Sequence, residues 1–234
     1  MNKFEDDELD IELQDLDDIG ARLILLSALV LWPTLDANDR MQWFTWLKAQ
    51  DVLSVATEWE IGELRSPTDD AVDISREAAE AMIPLAWASG LLGELPPRSG
   101  QDVLESLLAS LPTPEERVES FLDGLVLVEE SDVALERERA EIWRWRTTAE
   151  VLKRDSHGVE RVEVVEAIRE VVLESAMVGV MPDNDGNDFL ADGVPVGGLD
   201  TEALHQALLE TDERLRAMNW VCGLTEWGQI EVTD

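Results

Sequence analysis

Two stretches of this chain each carry an apolar stripe, a large aromatic near its end and a glycine stop. One runs over residues 75–90 and closes with Leu85-Ala86-Trp87-Ala88-Ser89-Gly90. The other runs over residues 212–223 and contains Glu213-Arg214-Leu215-Arg216-Ala217-Met218-Asn219-Trp220. Apolar residues at three- and four-residue steps specify an amphipathic helix, and a glycine just past the stripe supplies the left-handed residue that often ends one. A chain punctuated in this way folds as packed helices.

The remaining sequence extends the pattern. Residues 19–32 read as a helix that is apolar nearly all round, through Leu23, Ile24, Leu25, Leu26, Ala28, Leu29, Val30 and Leu31, and such a helix belongs inside a core. Pro33 ends it. Asp36 is placed to cap a second helix carrying Met41, Trp43, Phe44, Trp46 and Leu47, and Ser54 to cap a short third with Val55, Trp59 and Ile61. A long helix over about residues 73–92 contains Pro84, which should kink it or weaken one turn. Ser99-Gly100-Gln101-Asp102 resembles a capping box, and Thr113-Pro114-Glu115-Glu116 is a better one.

Ser131 opens a helix to about Lys153, residues 159–180 form another, and Asp200-Thr201-Glu202 starts the last. The β-branched run Leu125-Val126-Leu127-Val128 reads as a helix end or a buried connection. Residues 181–199 are the one long irregular segment. The expectation is an all-α fold: a single compact domain of about nine helices with little or no strand, over residues 19–234. Residues 1–18 form an acidic leader with nine Asp or Glu, flexible in isolation, whose Leu9, Ile11, Leu13 and Leu16 could dock on the body.

Charge narrows the partners. The 234 residues hold 18 Lys and Arg against 52 Asp and Glu, a net charge of −34. Such a surface repels nucleic-acid phosphates and anionic lipid, and favours cations and basic partners. Direct nucleic-acid binding and membrane binding are therefore not expected. The longest apolar run, residues 23–33, is too short to span a bilayer. The N-terminus lacks the basic and apolar regions of a signal peptide. One cysteine, Cys222, permits no internal disulfide and reads as a buried small hydrophobe. The expected compartment is a prokaryotic cytoplasm.

No residue set reads as a catalytic centre, and no cofactor is expected. Asp183-Asn184-Asp185-Gly186-Asn187-Asp188 superficially resembles a calcium loop, but its glycine falls at the fourth position and the twelfth residue is Val194, so it reads as a surface turn rich in Asx residues, with a weak cation site as the alternative. His157 and His205 have no second ligand at metal spacing. With 52 carboxylates, close acidic pairs arise by chance.

The nine Trp residues are more informative. An indole is a large apolar body with one donor, so a buried one needs an acceptor. Core packing is the plain reading. The alternative is a pocket or interface where Trp meets Arg, with Trp143, Arg144, Arg146, Arg214, Asn219, Trp220 and Trp227 as its candidate residues.

The segments that carry these residues also resemble the bacterial domain-of-unknown-function family 4272. Similar features are Leu85-Ala86-Trp87-Ala88-Ser89-Gly90 followed by Leu95-Pro96-Pro97, then Glu141-Ile142-Trp143-Arg144-Trp145-Arg146, and finally Gly193-Val194-Pro195 with Arg214, Ala217, Asn219, Trp220 and Trp227. The resemblance is loose over residues 19–234 and specific over the last forty or so. Trp143 and Trp145 depart from the family's Tyr, Arg and His residues, and the acidic leader is not a family feature. The resemblance implies a mostly helical, soluble, intracellular bacterial protein, and no reaction.

The leading functional expectation is a non-enzymatic acidic interaction protein, of immunity or regulatory type, that binds a basic protein. One alternative is an enzyme or small-ligand binder with a pocket lined by Trp and Arg. Another is a DNA mimic, which would need carboxylates spaced like phosphates along one face.

Overall fold

A helix that is apolar on every side has to be surrounded, and the fold is organised around one. In the computed structural model, which describes residues 11–96, 101–180 and 184–228, α1 (Leu16–Leu31) is buried from Ile19 to Leu29 except at Ala21. The helix α4 (Ala71–Ala88) packs against α1 and against α9 (Thr201–Val221). Around them lie α2 (Ala37–Ala49), α3 (Glu58–Arg65), α5 (Gln101–Ser110) and α6 (Val118–Leu122). The longer α7 (Glu130–Asp155) and α8 (Gly158–Val178) bring the α-helices among the described residues to nine. The expected all-α single domain is what the chain forms. No helix among the described residues is long and apolar enough to cross a membrane.

The glycine stops work as the sequence implies. Gly90 and Gly223 have φ of +74° and +69°. Past them, Leu91 N–H donates to the Ala86 carbonyl and Leu224 N–H to the Asn219 carbonyl, both at 2.9 Å. These bonds satisfy carbonyls that a helix end leaves without partners. Pro84 is buried inside α4, and the helix continues four residues past it to Ala88.

Several local expectations change. Thr57, not Ser54, caps the third helix, forming a capping box with Glu60. Ser54 instead donates its hydroxyl to the Asp51 carbonyl within a 3₁₀ turn over Val52–Val55. Thr113 and Glu116 do bond as a capping box would, since the Glu116 carboxylate accepts the Thr113 N–H at 2.9 Å. They close a turn, however, and α6 starts only at Val118. The Ser99 cap lies outside the described residues. The run at residues 125–128 is a connection, with Val126 and Val128 N–H donating to the Ser89 and Ala88 carbonyls at the end of α4.

The described part of the acidic leader is docked. Glu12 and Gln14 N–H donate to the Cys222 and Val221 carbonyls at 3.3 and 2.9 Å, at the C-terminal end of α9. Ile11 and Leu13 pack on the core, and Leu16 already belongs to α1.

Two apolar clusters share the domain. The larger is built on α1, α4 and the C-terminal end of α9. The smaller joins Trp143 and Ala149 of α7 to Ile168 and Val172 of α8, Phe189, Ala191, Val196 and Leu204. α7 and α9 run antiparallel and connect the clusters. Along their seam Arg137 bonds Asn219, Arg144 bonds Asp212, and Thr147 bonds Thr211.

The irregular segment contains one hairpin, β1 (Leu190–Ala191) with β2 (Val194–Pro195). Its two-residue loop is Asp192-Gly193, with φ of +52° and +78°. Both loop residues must take positive φ in such a turn, and Asp-Gly tolerates it.

Candidate functional site

Each cluster encloses an arginine. In the larger, Arg22 sits among the apolar residues of α1 and is 2% exposed. A charge there requires a partner. Arg22 Nη1 donates to both oxygens of Glu60 at 2.9 Å, and Nη2 donates to the Val55 carbonyl. Glu60 is positioned by its capping box: it accepts the Thr57 N–H at 2.7 Å and the Thr57 hydroxyl at 3.0 Å. It also accepts the Trp227 indole N–H at 3.1 Å. One carboxylate thereby satisfies a helix N-terminus, a buried cation and a buried indole.

The aromatic rings complete the enclosure. The Arg22 guanidinium lies 4.4 Å from the Trp227 ring centre and 5.7 Å from that of Trp220. The two rings meet edge to face at 5.3 Å. Arg216 lies 4.6 Å from Trp227 and pairs with Glu213. Ring faces attract cations, so the indoles replace part of the lost hydration. Burial pulls the Arg22 guanidinium below its usual value, against the pull of Glu60. Burial also pushes the Glu213 carboxyl up, with Arg216 opposing.

The smaller cluster handles its cation with carboxylates. Arg146 is 1% exposed. Its Nε and Nη2 donate to the two oxygens of Asp188 at 2.6 and 2.8 Å. Nη2 also reaches Glu150 at 3.1 Å. Asp188 is fixed further by the Phe189 and Gly197 N–H groups at 2.9 and 2.8 Å. Glu150 pairs with Lys153 at 2.5 Å and Arg154 at 3.0 Å. Arg154 then donates to the Leu199 carbonyl at 2.7 Å. Burial disfavours the Glu150 carboxylate, but the bonds from Lys153, Arg154 and Arg146 outweigh it and hold the carboxyl below its usual value. Gly197 passes so close that a Cβ there would lie 3.2 Å from both Asp188 Oδ2 and Lys153 Nζ.

The candidate residues thus go to different places. Trp220 and Trp227 belong to the Arg22 cluster. Trp143 and Arg146 belong to the other, where Trp143 lies 5.7 Å from Phe189. Arg144 and Asn219 are on the α7–α9 seam, bonded to Asp212 and Arg137. Arg214 is buried on α9. Sequence reasoning missed Arg22, Glu60, Glu150 and Asp188. A detectable signal did exist for Arg22: it is the only charge within an otherwise apolar 19–32 run.

The described part of the calcium-like segment, residues 184–188, is a turn. Asp185 accepts the Asn187 and Asp188 N–H groups at 2.8 Å, and those bonds hold its carboxyl low. Asp188 points inward to Arg146. Among the described residues no group of three or more His, Cys, Asp or Glu is arranged to hold a metal. Cys222 is buried, and burial pushes its thiol up to about 11, away from the thiolate a nucleophile requires. Comparison with family models, curated proteins and solved structures finds no match for this chain.

Proposed function

We propose that this protein is a non-enzymatic binder of a basic protein, acting in a bacterial cytoplasm through its carboxylate surface. The observation that carries this reading is where the scarce cations go. Arg22 and Arg146 are buried with internal partners, and Arg76, Arg137, Arg139, Arg144, Lys153, Arg154 and Arg216 are each paired with a carboxylate of the same chain. With 52 carboxylates against 18 cations, the surface stays strongly negative. Arg and Trp side chains that would line a ligand pocket are instead engaged with one another and with carboxylates.

Exposed acids lie at several helix ends. Asp17 and Asp18 in the first turn of α1, Glu119 and Asp123 around α6, and Glu129 and Glu130 at the start of α7 are all exposed. Leu122 and Leu125 close on the backbone of Gly20, which packs the end of α6 against α1. Asp17, Asp18, Glu119 and Glu130 lie in first turns, where acids also stabilise their helices.

The test is association of the purified protein with a basic partner recovered from its own cytoplasm, followed across ionic strength. Steered association slows steeply as salt rises. Neutralising Asp17, Asp18, Glu129 and Glu130 to the amides should slow association about tenfold with dissociation nearly unchanged. An on-rate insensitive to both salt and neutralisation contradicts the proposal. A small molecule retained in native mass spectra would favour the Trp- and Arg-lined pocket.

A further inference from the structure

Helix α8 is apolar on two sides. Ile168 and Val172 face the smaller core, with Val164 and Val171 half-buried against it. On the opposite side Val159, Val162, Leu173 and Met177 are exposed, at 75%, 55%, 49% and 86%. A peripheral helix normally turns charge outward. Here the outward stripe runs Val159, Val162, Glu166, Arg169, Leu173, Ala176, at alternating three- and four-residue steps, with Met177 beside its end. That is the spacing of a seam between two helices.

The order of residues along the stripe reads the same from either end. It is apolar, apolar, charged, charged, apolar, apolar, and the two central charges are opposite. A two-fold axis between Ala167 and Ile168 would lay a second α8 antiparallel on the first. Val162 would then face Leu173 of the other copy, Val159 would face Ala176 and Met177, and Glu166 would face Arg169, each contact made twice. We propose that this face binds a second copy of the same chain, forming an antiparallel two-fold dimer through α8. A self-complementary patch is what a two-fold interface requires, because the same surface serves both partners. Pairing Glu166 with Arg169 also selects this register over a parallel one, in which Glu166 would meet Glu166 and Arg169 would meet Arg169.

The strength of the dimer follows from its size and charge. A 21-residue helix is about 30 Å long, so one helix pair makes a small interface. Glu163 and Glu170 flank the stripe, and each copy carries a net charge of −34. Repulsion between copies therefore weakens the dimer at low salt, and screening strengthens it.

Sedimentation equilibrium of the full chain, from about 5 to 200 µM in moderate salt, tests the pairing. A monomer–dimer equilibrium is expected, tighter as salt rises. Glu166→Arg places arginine against arginine twice, and Arg169→Glu places glutamate against glutamate twice, so each alone should weaken the dimer about tenfold. The combined Glu166→Arg/Arg169→Glu chain restores both pairs and should return to within about twofold of the unmodified dimer. Helical circular dichroism of all three variants confirms that α8 stays folded. A chain that remains monomeric throughout that range overturns the proposal and leaves the face to some other occupant. So does a dimer that either single swap leaves unchanged, or that the double swap fails to restore.

Discussion

The two buried arginines meet the same difficulty with opposite resources. Arg22 has one carboxylate, Glu60, and two indoles. Arg146 has two carboxylates, Asp188 and Glu150, and Glu150 is shared with Lys153 and Arg154 near the solvent edge. An interior cation must be neutralised and hydrogen-bonded, or it destabilises the fold. The Arg22 cluster does this with a single anion backed by aromatic faces, so it has no reserve. The Arg146 cluster distributes the task over several ionised groups, so one loss can be absorbed by the rest.

The sharpest consequence is the cost of losing one anion. Glu60→Gln leaves Arg22 charged, buried and without its counter-ion, and weakens the bonds from Thr57 and Trp227 as well. It should destabilise the protein by about 3–5 kcal/mol in denaturant unfolding. Near-neutral behaviour would mean that the indoles alone can hold the cation.

Glycine substitutions compare the surroundings of the two clusters. At Gly223 the backbone has positive φ, and a Cβ would come within 2.3 Å of the Glu12 carbonyl oxygen, which belongs to the docked leader. Gly223→Ala should cost about 2–3 kcal/mol and loosen residues 11–15, read as faster amide exchange there. At Gly197 the nearest atoms are the tips of Asp188 and Lys153, and φ is not positive, so Gly197→Ala should cost only about 1 kcal/mol. Equal costs would remove the distinction.

Of the two carboxylate losses, the milder belongs to Glu150. Glu150→Gln keeps the Arg146–Asp188 pair and should cost about 1–2 kcal/mol, well below Glu60→Gln. Its acid behaviour has a definite sign. Because the folded carboxyl titrates below the ordinary 4.5, its stabilisation is complete above that value and is lost as pH falls through the lower folded one. Melting temperatures from pH 6 down to about 3 should therefore fall less steeply for Glu150→Gln than for the unmodified protein. Parallel profiles would contradict the role given to Glu150.

What the sequence made legible follows from how local each signal is. The ends of α4 and α9 at Gly90 and Gly223, the Asp36 and Asp200 caps and the buried α1 were readable because propensity, capping and periodicity act within a few residues. Ser54 was misread because Thr57 offered the complete capping box with Glu60, and the completed box wins. The Asp192-Gly193 hairpin was not read from the sequence, where residues 181–199 read as irregular, because the strands beside the turn are two residues each and too short to register as a pattern. The arginine clusters were not legible. Arg22 meets Glu60 across 38 residues, and Arg146 meets Asp188 across 42, and among 52 carboxylates nothing local marks the chosen one. The seven candidate residues are divided by the tertiary fold between the two clusters and the α7–α9 seam, a division that no local signal in the sequence carries.

Each arginine is held by its own cluster, so the two clusters should be energetically separate. A double-mutant cycle measures this directly. Unfolding free energies are needed for Glu60→Gln, Arg146→Met and the combination, and for Arg146→Met with Asp188→Asn as the cycle within one cluster. Across clusters the costs should add to within about 0.5 kcal/mol, whereas within the Arg146 cluster the coupling should exceed about 1 kcal/mol. Strong coupling between Glu60 and Arg146, or none between Arg146 and Asp188, would contradict the account.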